Sequence, residues 1–127
     1  MPSDFPALLA LVGQILLGGF FVIAAIRNIM NWQRVRVAMA TGPLPNPEMV
    51  GIVGITMQAV GGVSVLLNLW PAIGAAIAIL FLILASTMFH PFWKYQGDER
   101  ATHLYPCLAN AAMAGGMLMV AAKALGG

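Results

Sequence analysis

Charged residues are scarce in this chain of 127 residues. Lys, Arg, Asp and Glu together make up only 8% of it, whereas hydrophobic residues make up 61%. A soluble domain carries roughly a quarter charged residues, so this chain has too little polar surface to cover a water-soluble globule. The mean hydropathy of +0.89 agrees with that conclusion. The composition therefore predicts a membrane protein, with lipid as its solvent.

Cysteine and clustered basic residues are also lacking. Cys107 is the only cysteine, which excludes an internal disulfide and any CxxC redox motif. The chain has six Lys and Arg residues in all, too few for a surface that follows a phosphate backbone. The pI near 9.1 therefore does not indicate a nucleic-acid-binding protein.

Long apolar runs are what the chain has instead. A helix needs about 20 apolar residues to cross a bilayer, and the sequence supplies four such runs. The predicted fold class is all-α, a four-helix transmembrane bundle forming one domain over residues 1–127. The predicted helices cover about 5–29, 47–69, 71–90 and 103–124.

Proline marks the ends of the predicted helices. Pro47 and Pro71 suit the first turn of a helix, where a missing N–H group costs little. Asn46 suits the N-cap before Pro47, and Thr102 the N-cap of the fourth helix. Pro91 is expected to end the third helix.

Basic residues are distributed unevenly between the two ends of the predicted bundle. With four spans, loops 27–47 and 90–102 share one side and both termini share the other. The terminal side holds only Lys123, so the positive-inside rule places the two loops in the cytoplasm and both termini outside. We expect this orientation in a bacterial cytoplasmic (inner) membrane. The basic residues of the two loops are Arg27, Arg34, Arg36, Lys94 and Arg100.

The aromatic and basic residues near the span ends are predicted to be interface anchors. Trp and Tyr are enriched where hydrocarbon meets water, and basic side chains hold the cytoplasmic side. For the arginines, the alternative is a surface for an anionic lipid or a partner. These anchors are Trp32, Trp70, Trp93, Arg27, Arg34 and Arg36.

Small residues recur in all four predicted spans. Lipid gives helices no hydrophobic reason to associate, so close van der Waals contact has to replace it, and small residues permit that contact. The pairs Gly74/Ala78 and Ala112/Gly116 have the small-xxx-small spacing. We expect these faces to pack against other helices of the chain or of partner subunits.

Two glutamines interrupt the apolar spans. Counted from the outer ends of their helices, Gln14 and Gln58 lie at depths that differ by only about 3 Å. We therefore predict a hydrogen bond between them that joins the first two spans. The alternative is that they bind a polar head group, such as a quinone carbonyl.

The inner end of the third span carries further polar groups. Asn110 is expected to form a polar cluster with Ser86 and Thr87, as helix-to-helix contacts or, alternatively, as a ligand site. In "FHPFW", the His90 side chain is predicted to bond a helix end or a loop carbonyl at a structural corner, with a ligand contact as the alternative.

The sequence offers neither a full set of metal ligands nor a set of catalytic groups. His103 and Cys107 share a helical face on the same membrane side as His90. These three residues have no further acid fixed nearby, so we expect no metal site. No nucleophile–base pair and no intramembrane pair of carboxylates stands out, so we assign no catalytic residue.

The motifs together resemble the DoxX-like family of integral membrane proteins, over nearly the whole chain. The resemblance implies a four-helix bundle and an association with membrane redox chemistry, in which some members are subunits of a thiosulfate:quinone oxidoreductase. The motifs are "GQILLGGFF" (13–21), Arg27, "MATGPLPNP" (39–47), "QAVGGVSVLLNL" (58–69), "FHPFW" (89–93) and Asn110.

This sequence departs from the family pattern at both glutamines. The family usually has Arg at the position of Gln14 and Glu at the position of Gln58. A buried ion pair is tolerable only when both partners are present. We interpret the two amides as a replacement that keeps a hydrogen bond between these positions and removes the charges.

The expected function is that of a non-catalytic accessory subunit of a larger membrane redox or energy-converting complex. Its partners are membrane lipid and other integral membrane subunits, or further copies in a homo-oligomer, and it has no intrinsic cofactor. One alternative is a quinone-interacting oxidoreductase component; another is a small transporter or lipid-binding module. The candidate residues for a quinone or other ligand are Gln14, Gln58, His90 and Asn110.

Overall fold

The chain folds almost entirely into helices. The computed structural model describes residues 4–42 and 44–126, and within them there are five α-helices and no strand. Four of the helices, α1, α3, α4 and α5, are long and apolar enough to cross a membrane. The predicted all-α, four-helix transmembrane bundle is confirmed. The elements are α1 (Asp4–Met30), α2 (Trp32–Ala40), α3 (Pro47–Leu66), α4 (Pro71–Phe89), a 3₁₀ turn (Phe92–Lys94) and α5 (Gly97–Ala124).

The prolines begin and end the helices as predicted. Pro47 and Pro71 are the first residues of α3 and α4, and α4 ends at Phe89, just before Pro91. Asn46 precedes α3, but its backbone is left-handed (φ 51°) and its side chain makes no cap hydrogen bond. The prediction of Asn46 as the cap is therefore right in position and wrong in chemistry.

The last helix begins earlier than its apolar pattern indicated. α5 starts at Gly97 rather than near residue 103, and Asp98 and Glu99 occupy its first turn. Carboxylates are favourable there because the N-terminal end of a helix carries partial positive charge. Thr102 is inside the helix, where its Oγ1 donates to the Asp98 carbonyl oxygen at 3.0 Å. The prediction of Thr102 as the N-cap is wrong.

The predicted loop 27–47 contains a helix of its own. α2 packs against the start of α3, where Gly51 has no side chain to obstruct the approach. A methyl group added at Gly51 would lie 3.0 Å from Met39 Sδ and 3.1 Å from the Trp32 ring. α2 therefore covers the end of the bundle at which α1 finishes.

Each long helix packs mainly against the next one along the chain. α3 lies between α1 and α4, and α5 packs on α4, whereas α1 and α5 approach each other much less. Glycines set the close contacts: a methyl group at Gly18 would lie 2.6 Å from Leu66 N, and one at Gly61 would lie 3.0 Å from the Gly74 carbonyl oxygen. The core formed between the helices consists of Phe21, Val65, Ala75, Ala78, Leu82 and Met117.

The predicted small-residue faces serve first to pack this chain upon itself. Ala78 is fully buried, and Gly74 faces Gly61 and Ser64. A methyl group at Gly116 would lie 2.9 Å from Leu17 Cδ1, so this glycine admits the side chain of α1. Three of the four predicted positions therefore pack within this chain, whereas Ala112 is exposed.

Candidate functional site

Polar side chains between the helices gather into three clusters at three heights. The outer cluster, near the turn between α3 and α4, is Gln14 with Asn68. The central pair is Asn28 with Gln58. The inner cluster lies where α4 meets the start of α5 and consists of Ser86, His90, His103, Cys107 and Asn110.

The outer cluster joins α1 to the end of α3. Gln14 is 8% exposed. Its Nε2 donates to the Val65 carbonyl oxygen at 2.9 Å and to Asn68 Oδ1 at 2.8 Å. A cavity of about 390 Å³ borders Gln14 and Asn68 and is also lined by Lys123, the basic residue in the last turn of α5. This cluster holds the end of α3 against α1.

The central pair lies deeper, between α1 and α3. Gln58 is only 7% exposed. Asn28 Nδ2 donates to Gln58 Oε1 at 2.9 Å, and this bond accounts for one donor and one acceptor of the two amides. Within the described residues, Gln58 Nε2 makes no hydrogen bond.

A cavity of about 340 Å³ lies beside the central pair. Residues of α1, α2, α3 and α4 all contribute to it, so it is a junction of four elements. Such a volume is within the range of small-molecule sites in proteins, about 300–1,000 Å³. We call it the central cavity; it is lined by Asn28, Val35, Ala38, Met39, Val50, Gly51, Gly54, Ile55, Gln58, Phe81, Ala85 and Phe89.

The predicted hydrogen bond between Gln14 and Gln58 is wrong. Gln14 bonds at the level of Val65, which is two turns or roughly 10 Å along α3 from Gln58. The sequence-based estimate counted depth from the outer end of each helix and assumed that the two ends are level. α1 has 27 residues and α3 has 20, and α1 begins well before the level at which α3 ends. Each glutamine pairs with an asparagine instead, so the interpretation of the two amides as a replaced ion pair also fails in this chain.

The inner cluster contains the contact predicted for Asn110. Asn110 Nδ2 donates to Ser86 Oγ at 2.9 Å and joins α5 to α4. Thr87, expected in the same cluster, instead bonds the carbonyl oxygens of Ile83 and Leu84 in its own helix. The prediction is right for Ser86 and wrong for Thr87.

His90 does not make the side-chain hydrogen bond that was predicted for it. Its Nδ1 is buried and has no partner, and the same is true of Nδ1 of His103. The backbone carbonyl oxygen of His90, left free at the end of α4, accepts a hydrogen bond from Cys107 Sγ at 3.1 Å. The thiol of Cys107 on α5 therefore caps this helix end, and the His90 imidazole does not. Among the residues described, no three His, Cys, Asp or Glu side chains come together to hold a metal ion.

The two histidines pack against each other and against an aromatic ring. The His90 and His103 ring centroids are 5.6 Å apart, and Tyr95 stacks on His103 with centroids 4.3 Å apart. Arg100 lies over the Phe92 ring, 5.4 Å from its centroid. This corner is therefore closed by rings and by one cation–π contact.

The three tryptophans lie at the ends of the helices. Trp32 begins α2 and Trp93 belongs to the 3₁₀ turn, at the end of the bundle where α1 and α4 finish. Trp70 lies at the opposite end, 77% exposed, with a left-handed backbone. Their placement is compatible with interface anchors, which stays a prediction.

Three of the four arginines of the chain lie near the end of α1 and on α2. Arg27 is in the last turn of α1, where a cation is favourable to the helix dipole. Arg34 is exposed on α2. Arg36 pairs with Glu48 at 3.1 Å, between two side chains that are about half exposed.

Sequence reasoning missed Asn28, although a signal for it exists. Asn28 lies fourteen residues after Gln14, so both fall on one face of α1, and the buried residues Phe21 and Ala25 lie on that face as well. The four residues predicted to surround one quinone head group are divided among three clusters. They do not form one site.

Comparison with known proteins agrees with the motifs. No curated protein and no solved structure matches this chain significantly. The DoxX family model matches residues 9–91, which include most of α1, all of α2, α3 and α4, and the residues Gln14, Gln58 and His90. Asn110 lies outside the matched range. The match covers more than half of the chain, and this multi-pass membrane protein therefore belongs to the DoxX family.

Proposed function

We propose that this protein is a non-catalytic accessory subunit of a larger membrane redox or energy-converting complex. The observation that carries the proposal is the outward face of α5. Only 11% of the apolar window of α5 is buried in the chain, against 28% for α3. The partner we propose is another integral membrane subunit; a second copy of the chain is the alternative occupant.

Gly115 is the residue on which this argument depends. A methyl group added there would meet nothing within 4 Å, so the chain itself does not use the space that this glycine leaves. Glycine in a helix costs roughly 0.5–1 kcal/mol relative to alanine. Ala111, one turn earlier, is exposed, and with the partly exposed Gly115 it forms a small-xxx-small face suited to close approach by a helix of another protein.

The chemistry of the buried polar groups favours a structural role. The outer cluster and the central pair are built from amides, which neither gain nor lose protons near neutral pH. The ion pair between Arg36 and Glu48 lies at α2 and the first turn of α3, not among the crossing helices. Acid–base catalysis and proton transfer thus have no group in these two clusters to act through.

We further propose that the protein lies in a bacterial cytoplasmic membrane, with both termini outside. The support is the asymmetry of basic residues between the two ends of the bundle. Arg27, Arg34, Arg36 and Lys94 lie at the end where α1 and α4 finish, and Lys123 lies at the other. This distribution matches the positive-inside rule.

The test is native mass spectrometry of the protein extracted from its own membrane in mild detergent, on the wild-type chain and on Gly115→Leu. We expect larger subunits to co-purify with the wild type and to be lost from Gly115→Leu. Gly19→Leu is the matched control, because a side chain at Gly19 on α1 also enters open space. We expect it to retain the partner.

Two results would contradict the accessory role. One is a wild-type chain that is extracted from the membrane without partner subunits and is active by itself. The other is equal co-purification of partners by wild type, Gly115→Leu and Gly19→Leu. A mass equal to two or more copies, lost only in Gly115→Leu, would assign the α5 face to self-association.

A further inference from the structure

We infer that the central cavity is a binding site for a neutral amphipathic molecule, whose head carries a carbonyl or hydroxyl group and whose tail is apolar. This inference does not depend on the accessory role, since α1, α2, α3 and α4 form the cavity and α5 contributes no residue to it. It rests on three features: an unused amide, a lining without charge, and an apolar extension.

The unused amide supplies the polar end of the site. Gln58 is more than nine-tenths buried and lines the cavity, yet its Nε2 has no partner among the described residues. Turning both amides around keeps the single hydrogen bond between them, and in either arrangement N–H donors and a carbonyl oxygen of the pair stay unused. The Nε2 atom opens into the cavity instead of being sealed in the packing, so a ligand acceptor placed there gains a hydrogen bond that the chain itself does not make.

The lining restricts the charge of the ligand. Asn28 and Gln58 are the polar side chains around the cavity, and no residue in its lining is charged. A carboxylate or phosphate head would lose its hydration without gaining a counter-charge, which is strongly unfavourable. A carbonyl or hydroxyl head avoids that loss and matches the donor and acceptor that the two amides offer.

The apolar extension explains where a tail would lie. A second cavity of about 260 Å³ lies along the groove between α3 and α4, and hydrophobic residues and a glycine line it. It has part of its wall in common with the central cavity, so the two cavities are adjacent, and a tail that extends from the amides along α3 and α4 would reach the second one. The residues common to both are Val50, Gly54, Phe81, Ala85 and Phe89.

Gly54 is the position that tests the site with least damage to the fold. A methyl group there would lie 3.6 Å from Phe81 Cε1, an ordinary van der Waals contact. Gly54→Ala therefore fits the bundle, whereas the larger side chain of Gly54→Leu projects into both cavities. Gly19→Leu is the control, since its side chain enters open space on α1.

The experiment uses decylubiquinone as the probe and Trp32 as the reporter. Trp32 packs on Gly51, which lines the cavity, and Trp70→Phe/Trp93→Phe leaves it as the only tryptophan. The probe has a neutral dicarbonyl ring, a ten-carbon tail and the ability to quench indole fluorescence. In detergent, we expect saturable quenching of Trp32, an apparent affinity at least tenfold weaker in Gln58→Leu and Gly54→Leu, and an unchanged affinity in Gly19→Leu.

Competition decides the chemistry of the head group. We expect decanol to displace the probe and decanoate at pH 8 to fail, because both molecules have ten carbons and a linear tail, but decanol has a neutral hydroxyl head and decanoate a charged carboxylate. Quenching that rises linearly without saturation would overturn the site, as would equal affinity in wild type and Gly54→Leu. Displacement by decanoate as effective as by decanol would overturn the assigned ligand class. If Gln58→Leu does not fold, Gly54→Ala and Gly54→Leu, graded in size, decide the question.

Discussion

A single added methyl group separates the glycines of this bundle into two kinds. At Gly18 it would lie 2.6 Å from the backbone nitrogen of Leu66, a distance that requires α1 and α3 to move apart. At the adjacent Gly19 it would meet nothing within 4 Å. Residue type is the same at both positions, so the difference comes wholly from the neighbouring helix.

We predict that Gly18→Ala lowers the free energy of unfolding by about 1–3 kcal/mol, the usual cost of overpacking a close contact. Gly19→Ala is the control, and we expect it to leave stability unchanged or raise it by up to about 1 kcal/mol, because alanine is the better helix former. Unfolding in mixed micelles with increasing SDS, followed by circular dichroism, measures both. Equal stability of the two variants would show that α1 and α3 do not approach as described.

The buried amides give a second prediction, testable by double-mutant cycles. Gln14 bonds Asn68, so we expect the pair Gln14→Leu and Asn68→Leu to couple by about 0.6 kcal/mol and at most about 2 kcal/mol. Gln14 and Gln58 have separate partners, and their free energies should add within roughly 0.5 kcal/mol.

The same SDS unfolding measurement provides the free energies for both cycles. A coupling between Gln14 and Gln58 as large as that between Gln14 and Asn68 would restore the direct contact that the sequence indicated. It would also contradict the assignment of the two glutamines to separate clusters.

Among the elements, α2 is the one that the apolar pattern did not indicate. It is short and lies outside the crossing spans, and it is attached to α3 by Met39 and Trp32 over Gly51. The Arg36–Glu48 ion pair links the same two elements, but both side chains are about half exposed. Packing, rather than this charge pair, should therefore hold α2 in place.

We predict that Met39→Ala costs about 2 kcal/mol or more, since it removes a buried side chain from the contact between α2 and α3. Arg36→Ala should cost only about 0–1 kcal/mol, as is usual for exposed ion pairs. Thermal unfolding in detergent at low and high salt measures both, with salt weakening only the ion pair. A larger loss for Arg36→Ala than for Met39→Ala would contradict this order.

For the whole molecule, the connection that precedes α4 and the connection that follows it lie at opposite ends of the bundle, because α4 crosses from one end to the other. The turn between α3 and α4 holds Trp70, and the segment between α4 and α5 holds Lys94. Lys123, in the last turn of α5, is at the same end as Trp70. The proposed orientation puts Trp70 and Lys123 outside and Lys94 in the cytoplasm.

We predict that a membrane-impermeant maleimide added to intact cells labels Lys123→Cys and Trp70→Cys but not Lys94→Cys. Cys107→Ser provides the background, because Cys107 is the only cysteine of the chain. Labelling of Lys94→Cys after the cells are opened is the control for its reactivity. The reverse pattern in intact cells would invert the proposed orientation.

Composition and apolar length determined the solvent, the fold class and the crossing helices of this protein. A chain with 8% charge cannot cover itself in water, and Pro47, Pro71 and Pro91 act on their own backbone wherever the rest of the chain lies. Such local effects can be predicted from the sequence. The pairing of Asn110 with Ser86 was also found, since both lie near the same end of their spans.

The partners of Gln14 and Gln58 and the central cavity were decided by how the helices pack. Depth counted along one helix does not specify the stagger between two, and a shift of two turns exchanges one hydrogen-bond partner for another. Likewise, whether a glycine faces a neighbouring backbone, as Gly18 does, or open space, as Gly115 does, depends on where the other helices lie. Apolar spans of similar composition permit many such arrangements, and only the fit of their side chains selects one.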